Sequence, residues 1–495
     1  MAGARPQVAS IIAESNKLCH GRRFASEQES ALFSKSFPRV IFMACGLLTA
    51  ALLSSCGGGG DARGCTSGCD ANSGEAYPIV DPSPDAMPPS SNFANICTSL
   101  DAKQSFVLTY MNENYLWYSE MVPPFYELAQ TLSVEDYFYY LLAVNRPTDF
   151  LVPAAHPVDT YSYVIPVGQA NILDSGYTPG GYGFSWVTDS FGNLRVSLVV
   201  PNSPADRAGM QRGGVLTGGM FDYFGTDLYP YTAGASMTFD YQFPGAAARS
   251  ITLNAVPAQE DPVPMATSIN LGNGHTAGYL LFTRHSSVAQ DRLIDAISGL
   301  RAQGINDLVL DLRYNQGGFL YAAQSLASMI AGTGVAGRTF EQQVYNGKVP
   351  NVTLPFVTTV PSVASASSKY PVGATLPMLT LPRVYILTSG LTASASESII
   401  NALQGANVDV VLIGTLTAGK PYGANRRDNC NDAFYPVEYQ GFNDAGFGNY
   451  SGGFTPTCLV HDDFNHALGD SNEALLSAAI AHIKTGQCPP TTTQN

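Results

Sequence analysis

The sequence predicts an α/β protein whose main core is preceded by a β-rich unit and a small helical unit. Three observations carry this. From Ala277 to Gly414, buried strand-like runs alternate with segments of helical apolar spacing, the pattern of an α/β core. Residues 166–258 hold a glycine loop leading into a strand, then a strand running into a Ser-Pro turn and a short helix. Residues 95–165 carry two segments with helical apolar spacing. At 495 residues the chain has room for two or three domains with a large core. Hydrophobic residues make up 45% and charged residues 13%, so most of it folds rather than stays disordered. The net charge of −14 argues against a nucleic-acid partner, because phosphate binding needs basic patches.

The N-terminus reads as an export signal over residues 1–55. Lys35 and Arg39 precede an apolar run from Val40 to Leu53, which is short for a membrane span. Its end, Leu53-Ser54-Ser55-Cys56, resembles a bacterial lipoprotein signal, which implies lipidation of Cys56 and anchoring in the membrane. Gly57 follows where inner-membrane retention would place an aspartate, so the expected location is the outer membrane, facing the periplasm or the cell surface. Residues 56–94 are expected to be a flexible tether. Beyond Cys56 an even six cysteines remain, which suits an oxidising compartment. Cys430 with Cys458 is the preferred pair, because it would staple the insertion after Lys420.

In the helical unit, Phe106, Leu108, Met111, Tyr115 and Leu116 form one apolar face, and Val134 to Leu142 form a second helix. The Tyr115-Leu116-Trp117-Tyr118 cluster reads as core. In the main core, assigned to residues 259–490, the strand Ala277–Phe282 leads to a helix with Leu293, Ile294, Ile297 and Leu300. The strand Leu308–Leu310, a helix from Tyr321 to Ile330 and a last helix from Asn472 to His482 follow.

Arg383 to Thr388 is a further buried strand, Ser389-Gly390 its turn, and Ser396 to Leu403 a helix through Ile399, Ile400 and Leu403. A serine at such a strand-to-helix turn shows its hydroxyl to solvent where backbone N–H groups and the helix dipole converge, so an oxyanion is stabilised there. The next strand, Val410–Gly414, delivers Lys420 after Gly419, 26 residues beyond Ser394. A free lysine, with a pKa of about 10.4, cannot take a proton at neutral pH; burial lowers that value and makes the amine a usable base. Ser394 and Lys420 are the candidate nucleophile and base, with Ser396 the second choice for nucleophile.

The run Thr392-Ala393-Ser394-Ala395-Ser396-Glu397 with Gly419-Lys420, and Asp311-Leu312-Arg313-Tyr314-Asn315-Gln316-Gly317-Gly318, resemble the C-terminal processing peptidases. These are serine proteases with a Ser-Lys dyad and a PDZ domain. The resemblance implies a ClpP/crotonase-like protease core, polypeptide substrates and no cofactor or metal. It also implies an oxyanion hole from the backbone N–H groups of Ala395 and the Gly317-Gly318 pair, with Gly317 favoured. Many relatives place a glutamine four residues after the lysine, where this chain has Ala424, and Thr417 or Asn425 could take over. Gly181-Tyr182-Gly183-Phe184 resembles the PDZ loop that receives a peptide's terminal carboxylate, and Val199 to Met210 resembles the PDZ strand, Ser-Pro-Ala turn and helix.

The function expected is therefore a serine endopeptidase acting on exported or unfolded polypeptides. A peptide-binding scaffold whose dyad has decayed is the alternative, with Ala424 as its support. His285 is expected to be a loop histidine rather than a competing base. His461, Asp462, Asp463 and His466 read as a solvated loop rather than a metal site, because their spacing does not put two imidazoles on one helix face.

Overall fold

The computed structural model describes residues 87–142, 159–189, 192–218, 232–362 and 368–490. The export signal, Cys56 and the first part of the tether lie outside the described residues. Its frame is a six-stranded sheet in the order Cys458–Leu459, Asp409–Gly414, Arg383–Thr388, Asp307–Asp311, His275–Leu281 and Met265–Gly272. All neighbours are parallel except the last, which is antiparallel. Successive side chains of a strand point to opposite faces, and both faces here are covered, which is why these strands read as almost continuous apolar runs. Leu308, Leu310, Val384, Ile386 and Leu412 pack beneath the helices Ala289–Ala302, Leu320–Ala331 and Ala395–Gly405. Val309, Tyr385, Leu387, Val411 and Ile413 pack on the other face against the helix Ala474–Thr485.

The described residues between Tyr177 and Gln259 form the β-rich unit: five antiparallel strands, Phe184–Thr188 through Arg249–Asn254, and a separate pair, Tyr177–Gly181 with Val256–Gln259. A four-residue helix, Pro204–Arg207, follows Ser203, whose Oγ accepts the Asp206 N–H at 3.2 Å. This is the local capping chemistry the Ser-Pro pair dictates.

Three sequence expectations need correction. Among the described residues of 95–165, the apolar side chains form no core of their own. Phe106, Tyr115, Trp117 and Phe138 share one cluster with Tyr422, Phe434 and Val437, and the strand Tyr163–Pro166 pairs with Asp432–Tyr435. The insertion after Lys420 supplies the apolar surface that two short helices cannot bury alone. The tether also ends earlier than expected: Phe93 is buried, and Ser90 donates from its N–H and hydroxyl to the Glu113 carboxylate at 2.7 and 2.6 Å. Finally, Cys430 bonds to Cys97 and Cys458 to Cys488, not Cys430 to Cys458. Cys430 is tied to a segment 333 positions away that packs on the insertion, and such packing is invisible to spacing.

A second kind of surprise lies behind the sheet. Arg313 is fully buried and pairs with Asp311 at 2.8 Å, Glu473 at 2.6 Å and Asp462 at 2.9 Å. Burial of a guanidinium is tolerable only with such multiple, hydrogen-bonded carboxylates. Asp462 is therefore not on a solvated loop. It also accepts Arg212 of the β-rich unit at 2.7 Å, and Arg212 donates to Tyr314 OH at 2.7 Å.

Candidate active site

Ser394 stands at the N-cap of the helix Ala395–Gly405, just past the strand Arg383–Thr388. Its backbone is at φ +57° and ψ −121°. A non-glycine residue in that region costs roughly 1–3 kcal/mol and persists only where surrounding contacts over-determine it. Those contacts are present. Thr392 Oγ donates to Leu312 O at 2.9 Å, Ala393 N–H to Asn315 O at 3.2 Å, and Ser396 Oγ to Asn315 O at 2.9 Å. The Ser394 turn is thus laced to the turn that follows the strand Asp307–Asp311. Ser396 is fully buried with its hydroxyl engaged, so it is not an alternative nucleophile.

The residue that joins serine to lysine is Glu397. It is fully buried. One carboxylate oxygen accepts the N–H of Ser394 at 3.0 Å and of Lys420 at 2.8 Å. The other accepts the N–H of Gly419 at 2.7 Å and the hydroxyl of Thr417 at 2.6 Å. Burial pushes this carboxyl up while the donors pull it down. Since every partner donates, the ionised form is the one the geometry fits. Gly419 has φ +78°, and a Cβ there would stand 2.4 Å from Ser451 O, so no other residue lets the chain turn into Lys420 at this place.

Lys420 is part-buried, and its side chain and Ser394 line one small cavity of about 60 Å³. Burial pushes its amine below the usual lysine value, against the opposing pull of Asp159 and Glu397. Among the described residues no hydrogen bond joins the Ser394 hydroxyl to the amine; such contacts commonly tighten only when substrate binds. The Lys420 Nζ lies 6.0 Å from the Tyr161 ring centre and 5.9 Å from that of Tyr163. Tyr161 OH donates to Gly419 O at 2.7 Å. Neither candidate for the missing glutamine reaches the amine. Thr417 is held by Glu397, and Asn425 Nδ2 donates to Glu438 at 2.6 Å, while Ala424 lines the cavity.

The glycine pair also resolves. Gly317 N–H donates to Asn315 Oδ1 at 3.0 Å, whereas Gly318 lines the cavity beside Ala395, the first helical residue, whose N–H has no partner one turn back. Gly318, rather than the Gly317 that the sequence favoured, therefore lines the cavity. Gly317 has another constraint: a Cβ would lie 2.9 Å from both Ala393 O and Ala395 N, so glycine is what lets the two turns touch. His285 is fully buried, and its Nδ1 hydrogen-bonds Asn315 Oδ1 at 3.0 Å. Burial lowers its pKa to about 3, so it stays neutral. It props the glycine turn from behind and does not line the cavity.

In the β-rich unit, Tyr182 and Phe184 are buried and meet Phe239 edge-on at 5.3 and 5.6 Å, so within Gly181-Tyr182-Gly183-Phe184 those aromatics belong to the core. Gly183, at φ +81°, accepts Val200 N–H through its carbonyl at 2.8 Å.

Sequence reasoning missed Tyr161, Tyr163, Asp159 and Glu341. The first three lie more than 200 positions before Lys420 and look like part of any strand approach. Glu341 is a lone acid within a strand that carries no motif.

Residues 276–456 match peptidase family S41. The chain is 28% identical over 237 residues to a carboxyl-terminal-processing protease of Picosynechococcus, covering 46% of this chain and 50% of that protein. It is 26% identical over 252 residues to the chloroplastic carboxyl-terminal-processing peptidase 1 of Arabidopsis thaliana, covering 47% of this chain and 45% of that protein. The chain thus spans about half the length of the curated relatives it matches. Among solved structures, an S41 protease from Bacteroides fragilis shares 27% identity with a TM-score of 0.55, covering 77% of this chain and 97% of that one.

Proposed function

From the premise that this chain is a member of the C-terminal processing peptidases of family S41, we propose that it is a serine endopeptidase with a Ser394-Lys420 dyad. The observation that carries the reading is the Glu397 carboxylate, which holds the backbones of Ser394, Gly419 and Lys420 together beside one cavity. In the reaction the neutral amine of Lys420 takes the Ser394 proton as Oγ attacks a peptide carbonyl. The N–H groups of Gly318 and Ala395 receive the oxyanion. The lysine then returns the proton to the leaving amine, and water releases the acyl group by the same path in reverse. The glycine loop at residues 181–184 would receive a substrate's C-terminal carboxylate, with the peptide added as a strand.

Purified protein is expected to digest casein, with Ser394→Ala reducing the rate to background. A C-terminally amidated peptide is expected to be cut more slowly than its free acid. Equal digestion by wild type and Ser394→Ala refutes the enzyme. A second reading, a peptide-binding scaffold, draws on Ala424 and on the absence of a Ser394–Lys420 hydrogen bond among the described residues. It expects peptide binding without digestion.

From the signal-like run ending in Leu53-Ser54-Ser55-Cys56 we further propose that the protein belongs to the bacterial cell envelope, held to the outer membrane through lipid on Cys56. The mature N-terminus is expected to begin at that cysteine with the mass of attached acyl chains; an unmodified Cys56 sinks this part.

A further inference from the structure

The cavity that opens at Ser394, Ala395 and Gly318 does not end at the catalytic groups. Its wall continues to Glu341, Ser398 and Tyr439. Ser398 is one helical turn beyond Ser394 and so presents the same face. It donates its hydroxyl to Glu341 Oε2 at 2.7 Å. Glu341 itself comes from the strand Thr339–Tyr345 and is 4% exposed. Among the described residues no lysine, arginine or histidine is within ion-pair distance of it. A buried carboxyl without a cation is a costly feature to keep merely for packing.

The position says what meets it. In a substrate attacked by Ser394, the side chain on the acyl side of the cut branches from the carbon next to the carbonyl. It must therefore enter the space beside the nucleophile and the two oxyanion donors. The cavity of about 60 Å³ has space for roughly four water-sized groups, at the ~10–15 Å³ that each requires. That admits a side chain of a few heavy atoms and no ring. An apolar pocket of this size would take alanine or valine; a carboxyl and a hydroxyl in the wall, here hydrogen-bonded to each other, offer a substrate hydroxyl partners that those side chains cannot use.

We propose that Glu341, with Ser398, selects serine or threonine as the residue on the acyl side of the scissile bond. This rests on the peptidase reading above and specifies its substrate. A substrate hydroxyl can donate to Glu341 as a carboxylate or accept from it as an acid. Burial lifts the Glu341 pKa to about 7, so both forms are present near neutrality.

The test uses the full chain and peptides acetylated at the N-terminus with a free C-terminal carboxylate, identical except for Ser, Thr, Ala or Val before the cut. Wild type is expected to favour Ser or Thr over Ala and Val by about 10-fold or more in kcat/KM. Glu341→Leu is expected to reverse the order, and Glu341→Gln, which keeps a hydrogen-bonding group, to retain it. Preference of the wild type for Ala or Val, or an unchanged ratio in Glu341→Leu, overturns the proposal. Thermal denaturation checks that each variant folds, and Ser398→Ala, expected to weaken the hydroxyl preference, serves should Glu341→Leu not fold. Anisotropy of the same peptides on Ser394→Ala protein gives a readout that needs no cleavage. Ser or Thr preference in binding without any wild-type cleavage refutes the peptidase and sustains the pocket, while cleavage without that preference does the reverse.

Discussion

Lys420→Ala is expected to lower kcat/KM by about 10²–10⁴-fold, the usual contribution of a positioned acid–base group. Lys420→Arg is expected to do no better, because a guanidinium stays protonated and cannot act as base. The pH profile separates this from misfolding. Burial pulls the folded-state amine below the free value of about 10.4, so kcat/KM should rise with pH as the amine deprotonates, with a midpoint below that value. Stability moves the same way. Between the lowered folded value and the unfolded one, the unfolded chain binds more protons, so stability rises with pH across that window. Lys420→Met should remove both the rate rise and the stability rise, and should leave the Tm no lower near neutrality, since it removes a charge that burial disfavours. A variant that keeps full activity, or one whose lost activity tracks a collapsed Tm, contradicts the assignment of Lys420 as base.

Glu397→Gln is expected to cost more than its isosteric shape suggests. The carboxylate accepts four hydrogen bonds, and an amide nitrogen in place of either oxygen sets two donors against a donor. At about 1–3 kcal/mol for each buried group left unpaired, the loss is about 2–6 kcal/mol, read as a shift of the urea midpoint. The same change lets the Lys420 loop drift from Ser394, and a misplacement of ~1 Å costs on the order of 100-fold in rate. We expect kcat to fall by that factor with KM within a few-fold, because Glu397 does not line the cavity. A fall in KM alone, or an unchanged urea midpoint, counts against its positioning role.

Some of this was open to reading from the chain alone. The strands Asp307–Asp311, Arg383–Thr388 and Asp409–Gly414 announce themselves because a sheet covered on both faces demands apolar residues along most of each strand. The turns at Gly317 and Ser394 could be found because both carry dense local patterns. What escaped lay in long-range packing. Asp462 looked solvated until Arg313 and Arg212 were seen to converge on it, and neither lies within 100 residues. Cys430 paired with Cys97 across 333 positions because the N-terminal helices borrow their core from the insertion.

The sequence by itself determined the α/β frame, the serine turn, the lysine after its strand and the glycine turn facing them. These depend on periodicity and on residue types whose chemistry is local. Only the tertiary structure decided that Gly318 rather than Gly317 faces the cavity, that Tyr161 and Tyr163 flank the amine, and that Glu341 walls the pocket. Which N–H is free, and which side chain stands opposite which, depends on contacts between segments far apart in the chain. No local pattern encodes them.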